Sequence, residues 1–255
     1  MSCAVDAHDL RFRYPNGVVG LDGVDLHVTH GERVAVLGPN GAGKTTLMLH
    51  LNGLLAGDGE LEVAGMRVGE GDVRDLRAAV GIVFQDPDDQ LFMPTVGEDV
   101  AFGPLNLGVP REEVRERVVA ALATVRMEHV AERAPHQLSL GQRRRVAIAT
   151  VMAMRPRLLV LDEPSANLDP RARRELLEVL DTINRTMLVV THDLPFAAQL
   201  CERAVILAGG RIVADGPCTE ILRDDALLAG NDLELPAGFD LARVRLRTAA
   251  DPLTL

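Results

Sequence analysis

The sequence predicts an α/β fold. It has a core built on a mainly parallel sheet, an N-terminal antiparallel β subdomain, and a helical subdomain inserted at about residues 88–155. Three observations carry this. "RLLVLDE" (157–163) and "TMLVVTHD" (186–193) are continuous apolar runs that end in polar residues, as strands buried on both faces of a parallel sheet do. Residues 4–37 instead alternate short apolar runs with the turn signals "YPNG", "LDG" and "HGE", which predicts antiparallel strands feeding a buried strand at Arg33–Leu37. From about Val96 the pattern turns helical, and "REEVRERVVAALATV" (111–125) places apolar residues at 114, 118, 121, 122 and 125 on one helical face.

The remaining elements follow in order. "ELEVAGMRV" (60–68) reads as a hairpin joining the N-terminal strands, and "AVGIVFQ" (79–85) as a further strand. "SLGQRRRVAIATVMAM" (139–154) is a second long helix, and "RAVILAGGRIVADG" (203–216) gives two final strands about a Gly-Gly turn. The pattern weakens after about Asp224. Residues 1–230 therefore read as one domain and 231–255 as a loosely packed tail, with "ARVRLR" as a candidate short strand.

Composition narrows the class. At 47% hydrophobic, 255 residues can bury a sizeable core, but only 3% are aromatic, so Leu, Val and Ala must do the packing. No window approaches the ~20 apolar residues of a membrane span. The start, "MSCAVDAHDL", shows no basic region followed by an apolar run, so no signal peptide is expected. A net charge of −10 argues against a general nucleic-acid binder. Cys3, Cys201 and Cys218 have no metal-ligand spacing and read as reduced thiols. His8, His27 and His30 read as strand and turn residues rather than metal ligands, and Arg143–Arg145 as a solvated, ion-paired helix face.

"GPNGAGKTT" (38–46) carries the chemistry. Gly38, Pro39, Asn40, Gly41, Ala42, Gly43, Lys44 and Thr45 fit G-x-x-x-x-G-K-[ST] between a strand and a helix, the context this phosphate loop needs. Such a loop turns backbone N–H groups toward an anion, and the helix start adds its dipole. Lys44 would bridge the β- and γ-phosphates of a nucleotide and Thr45 would ligate Mg²⁺, with Thr46 as a helper. Asp162, closing a buried strand, would fall beside the loop and hold the metal. Glu163 follows, placed to activate a water for attack on the γ-phosphate. Gln85 and His192 end strands on the same edge; Gln85 would reach the metal or the water, and His192 the γ-phosphate. Ser139 and Gly141 open a helix, with Ser139 as N-cap, and so form a second anion site. One triphosphate cannot fill both, which points to a second copy.

Together these residues resemble the nucleotide-binding subunits of ABC transporters over about residues 5–222, on a P-loop nucleotide-hydrolase core. Gly38–Thr45 matches Walker A, Gln85 the Q-loop, Leu138–Gln142 the signature, Leu158–Asp162 Walker B, Glu163 its catalytic carboxylate, "SANLD" (165–169) the D-loop and His192 the switch histidine. Tyr14 stands where the family stacks an aromatic on adenine. Leu140 replaces the usual signature Gly, so an ordinary helical or extended backbone is expected there. The resemblance implies an ATPase using ATP and Mg²⁺, closing as a homodimer or a heterodimer with a related ATPase. Each ATP would lie between one chain's Walker residues and the other's Ser139, Gly141 and Gln142. It further implies membrane-embedded partner subunits, a peripheral place on the cytoplasmic face of the cell membrane, and no nucleic-acid partner.

Residues 84–110, "FQDPDDQLFMPTVGEDVAFGPLNLGVP", resemble the ATPases of energy-coupling-factor importers for vitamins and transition-metal ions, and 136–154 lean toward the cobalt/nickel type. Leu91, Phe92, Met93, Val96, Val100, Phe102, Leu105 and Leu107 would divide between core and a groove for a partner helix. A soluble ABC ATPase acting on nucleic acid or the ribosome is the competing class. It would carry coiled coils or basic extensions, which this sequence lacks.

Overall fold

The computed structural model describes residues 3–243 and Arg247. Strands β1 (Cys3–Arg13), β2 (Val19–Thr29), β4 (Asp58–Val63) and β5 (Met66–Arg67) form an antiparallel sheet in the order β2-β1-β4-β5. Strands β3 (Arg33–Leu37), β6 (Val80–Val83), β7 (Leu158–Asp162), β8 (Thr186–Val190), β9 (Arg203–Ala208) and β10 (Arg211–Pro217) form the second, in the order β10-β9-β3-β8-β7-β6. All its neighbours pair in parallel except β10 on β9.

The continuous apolar runs have a direct cause. In β3, Val34 and Val36 join an apolar cluster shared with the antiparallel sheet and with α1 (Lys44–Leu51), through Leu47, Met48 and Leu51. Ala35 and Leu37 face the opposite way, into a cluster with α5 (Leu140–Met152), α6 (Pro170–Thr182) and α7 (Leu194–Leu200). Side chains alternate across a strand, so a sheet covered on both faces needs an apolar residue at every position. Between β6 and β7 the chain is helical, with α3 (Val96–Asn106) and α4 (Arg111–Thr124) packed on α5. Gly103 lets α3 lie close, since a Cβ there would come within 2.8 Å of Met154.

Two expectations are corrected. "LDG" is not a turn: it lies inside β2, where the pairs Leu10–Val24 and Arg11–Asp22 skip Gly23 at φ 79°. A glycine at positive φ serves a bulge as readily as a turn. The tail is not loose where it is described. Leu233 is buried in the core, and Arg247 pairs with Asp181 at 2.6 Å and Glu202 at 3.3 Å. Of "ARVRLR" (242–247), Ala242 and Arg243 belong to a single 3₁₀ turn, Leu241–Arg243, and Val244–Leu246 lie outside the described residues. The helix α2 (Val73–Ala79), capped by Asp72 accepting from Arg74 N, is an element that the sequence reading does not assign.

Asp193, the N-cap of α7, ties three segments together. Its carboxylate accepts from Arg173 in α6 through two bonds of 3.0 Å, from Ser165 Oγ at 2.8 Å and from Phe196 N at 2.9 Å. Burial alone would raise this carboxyl, but Arg173 and Ser165 hold it below the usual carboxylate range. A depressed folded pKa stabilises the fold fully above the unfolded value of about 3.9, and that contribution is lost as pH falls through the folded value. Asp193→Asn should therefore lower stability near neutrality by about 1–3 kcal/mol. It should also flatten the loss of stability below pH ~4, measured as urea midpoints across a pH series.

Candidate active site

Parallel strands deliver their carboxyl ends to one edge, and the predicted site residues gather there. A cavity of about 310 Å³ is lined by Tyr14, by residues Asn40–Thr46, and by Gln85, Asp162 and Glu163. Its floor is the loop between β3 and α1. Lys44 is buried and folds back on this loop, donating to Gly38 O at 2.7 Å and Pro39 O at 2.9 Å. That leaves one of three ammonium donors for a ligand. Gly38 and Pro39 thus shape the loop through their carbonyls and do not line the cavity. Gly43, at φ 107°, is the N-cap of α1, and a Cβ there would run into Gly20 O. The floor is therefore bare main chain, as close approach of an anion requires.

The charges also favour a cation-bound anion. Burial and the neighbouring Glu163 push the Asp162 carboxyl up, against Lys44 and Arg144, which pull it down. Burial lowers the Lys44 ammonium, opposed by Glu163 and Asp162. A divalent cation beside Asp162 would relieve the carboxylate repulsion, and the hydroxyl, amide and carboxylate donors of Thr45, Gln85 and Asp162 suit Mg²⁺. An Mg²⁺–triphosphate therefore fits the residues present.

Glu163 and His192, read separately in the sequence, form one unit. Glu163 has φ 43° and is 8% exposed. Its carboxylate accepts from Thr191 Oγ1 at 3.0 Å and from His192 N at 3.1 Å, and lies 2.7 Å from His192 Nδ1. With Nδ1–H given to Glu163, His192 presents Nε2 outward, and its side chain is 68% exposed at the rim. Tyr14 also has a tie. Its hydroxyl is 2.9 Å from Thr46 Oγ1, and its ring meets Phe12 edge-on at 4.9 Å. Thr46 is buried and anchors Tyr14 through this contact.

Ser139, Gly141 and Gln142 do not line this cavity. They open α5 as a capping box, in which Gln142 N donates to Ser139 Oγ at 3.3 Å and Ser139 N donates to Gln142 Oε1 at 2.9 Å. Leu140 is the first residue of α5, helical as expected. Gly141 packs on α6, where a Cβ would sit 2.7 Å from Ala172 Cβ.

Three contributors, the first of them a pair of residues, are not among the site residues expected from the sequence. Val18 and Val19 follow the "YPNG" turn, are exposed, and line the cavity beside Tyr14. An exposed apolar pair directly after a turn was the available signal. Thr191 is fully buried, and only its contact with Glu163 reveals it. Arg144 is the third and corrects the reading of the basic run. Arg143 pairs with Asp88 at 3.2 Å and Arg145 with Glu175 at 3.2 Å, as a surface face would. Arg144 between them is 1% exposed and donates to Gln85 O and, at 3.1 Å, to Ala166 O.

Gly43→Ala tests the cradle. The strain of a side chain at this φ, about 1–3 kcal/mol, adds to the collision with Gly20 O. Nucleotide affinity, measured by calorimetry on the folded variant, should fall at least about tenfold.

The sequence profile described as "ABC transporter" matches residues 21–166. A putative ABC transporter ATP-binding protein of Streptomyces coelicolor is 58% identical over 243 residues, 95% of this chain and 94% of that protein. The energy-coupling factor transporter ATP-binding protein EcfA of Methanothermobacter thermautotrophicus is 47% identical over 251 residues, 96% of this chain and 80% of its own. The solved structure of CbiO1 from Clostridium perfringens, described as part of the ABC transporter complex CbiONQ, matches with a TM-score of 0.81. That match has 34% identity and covers 92% of this chain and 97% of the other. The likeness runs through the strands that build the cavity and along nearly the whole chain, which therefore belongs to the ABC transporter ATP-binding family, the ABC ATPases.

Proposed function

We propose that this ABC ATPase powers a membrane importer of the energy-coupling type, working as one half of a nucleotide-sandwich dimer. One observation carries the importer reading. Beside the nucleotide cavity lies a second, of about 790 Å³, whose lining includes Phe92, Phe102, Leu107 and Met154. Phe92, Phe102, Leu105 and Leu107 are 60, 41, 46 and 39% exposed, while Leu91, Val96 and Val100 are buried in the core. Phe92 and Phe102 pack edge-to-face at 4.9 Å. Asp99, itself buried, accepts from Phe92 N at 3.0 Å and Met93 N at 2.9 Å and so presents this segment outward. Exposed aromatics in a formed groove suit a partner's apolar helix.

The groove is joined to the chemistry by a short path. Phe84 and Gln90 line it, Phe84 N donates to Gln90 Oε1 at 3.2 Å, and Gln85, between them, faces the nucleotide cavity. The names of the EcfA and CbiO1 relatives support an energy-coupling importer, with cobalt or nickel ions, or vitamins, as the proposed cargo. No described helix is long and apolar enough to cross a membrane. The proposed location is peripheral, on the cytoplasmic face, held by membrane-embedded subunits.

In the proposed mechanism the loop N–H groups and Lys44 hold the triphosphate, and Tyr14 with Val18 and Val19 meets the base. Thr45, Gln85 and Asp162 would hold Mg²⁺, which when bound neutralises charge on the β- and γ-oxygens. Glu163 accepts the proton of the attacking water. Its carboxylate has about four acceptor positions, so the bonds from Thr191 and His192 leave room for that water. His192 Nε2 meets the γ-phosphate. The capping box at Ser139 and Gln142 would complete the site on a second copy, since it lies outside its own chain's cavity.

Two outcomes test this. Glu163→Gln should bind ATP yet turn over about 10²–10⁴ times more slowly, read in single-turnover assays, and should accumulate as a closed dimer. A near-wild-type rate removes Glu163 from the role. Phe102→Glu and Leu107→Glu, both at exposed positions that line the groove, should keep basal ATPase activity and thermal unfolding. Each should fail to copurify with membrane subunits from the native host, because a buried, unpaired charge costs several kcal/mol. If both still assemble and support uptake, the groove is not the coupling surface.

A further inference from the structure

The outer face of the antiparallel sheet brings together residues that the nucleotide chemistry does not use. In a regular strand Cys3 and Asp6 would point to opposite faces. The register of β1 on β2 is broken between Cys3–Thr29 and Val5–Val28, and this irregularity brings Cys3 onto the face of Asp6 and His8. Asp6 lies opposite His27. Cys3 Sγ is 3.5 Å from His27 Nε2, and His27 Nδ1 is 3.3 Å from Asp6 Oδ1. His8 Nε2 reaches the same Asp6 Oδ1 at 3.1 Å. One donor atom from each of Cys3, Asp6 and His27 can be chosen so that all lie within 4.8 Å of one another.

We propose that this cluster is a site for one borderline divalent transition-metal ion, held by the Cys3 thiolate, the Asp6 carboxylate and one His27 ring nitrogen, with His8 as fourth ligand. The inference is independent of the importer reading. Tetrahedral ligands at about 2.0–2.3 Å from an ion stand roughly 3.3–3.8 Å apart. The two His27 contacts, 3.5 and 3.3 Å, have these spacings on opposite ring nitrogens, and the His8–Asp6 contact, at 3.1 Å, is slightly shorter, so a turn of the His27 ring and a small spreading of the carboxylate would direct the donors to a common centre. The donor set of sulfur, imidazole and carboxylate selects Zn²⁺, Co²⁺ or Ni²⁺ over Mg²⁺ and Ca²⁺. Binding would displace the proton of Cys3, and the thiolate and Asp6 together would balance the ion's two charges. Across the register from β4, Glu62 stands opposite Asp6 and Glu60 opposite His8, which adds negative field on the same strand pair; Glu60 is itself paired with Arg67 at 2.8 Å.

The sequence has no metal-ligand spacing because the donors belong to two strands whose register alone aligns them. The other two cysteines do not compete. Cys201 and Cys218 are buried; burial drives the Cys201 thiol well above its ordinary value and pushes Cys218 to about 12. Sulfur ligation by this chain would therefore report Cys3.

The test is a Co²⁺ titration of the full, chelator-treated, nucleotide-free chain. One equivalent should give visible d–d bands and a near-ultraviolet thiolate-to-cobalt charge-transfer band, both displaced by Zn²⁺. Cys3→Ser should lose the charge-transfer band while keeping basal ATPase activity. Asp6→Asn and His27→Gln should weaken Co²⁺ binding at least about tenfold. In the unmodified chain, stoichiometric Zn²⁺ should slow maleimide modification of Cys3 by about the same factor. No charge-transfer band at one equivalent, or one that survives in Cys3→Ser, overturns the site. So does binding abolished by Asp162→Asn, which would place the ion in the nucleotide cavity. Unchanged maleimide reactivity in the presence of Zn²⁺ overturns it without recourse to any variant.

Discussion

Parallel pairing imposes one constraint from which the rest follows. β9, β3, β8, β7 and β6 run the same way, so their carboxyl ends share one edge and the returning connections cross the faces. Strand interiors must then be apolar on both sides, and polar residues are displaced to the first positions beyond each strand. Gly38 follows β3, Gln85 comes two residues after β6, Asp162 ends β7 with Glu163 next, and His192 comes two residues after β8. The candidate active site is where the sheet's own pattern runs out.

A second layer of interactions stops these residues from acting separately. Glu163 cannot move without Thr191 and His192, which both reach its carboxylate. Arg144 does the same for larger segments. One helix, α5, carries the Ser139–Gln142 cap at its start and, one turn further on, a buried guanidinium bonded to the carbonyls of Gln85 and Ala166. Its Nε is buried without a partner among the described residues. A charge desolvated in this way is costly to place, and two main-chain acceptors fix it in a single geometry. The end of β6, the turn after β7 and the start of α5 are thereby one mechanical unit. A shift at Gln85 must be felt at Ser139.

What could be read from the sequence divides along physical lines. The strands of the parallel sheet were legible because burial on both faces leaves uninterrupted apolar runs, and β3 begins and ends at the predicted Arg33 and Leu37. The loop was legible because bare backbone demands glycine at fixed spacing. "LDG" misled because glycine at positive φ makes bulges as well as turns. Arg144 misled because composition cannot tell a solvated arginine from one whose donors are spent on distant carbonyls. The tail misled because its anchors, Leu233 and Arg247, are too sparse to show a period. Contacts that join segments far apart in the chain, such as Asp193 with Arg173, leave no local mark at all.

The unequal burial of the three cysteines has a practical side. Two thiols are sealed in the core and held protonated by desolvation, while the third sits in the first strand of the outer sheet. To a hydrophilic reagent in the folded state, the natural chain is a single-thiol protein. A spin label or fluorophore can be attached to that strand without rebuilding the core around serines or alanines. In a symmetric pair of chains, two such labels would report the separation of the outer sheets as a ruler, through each round of nucleotide turnover.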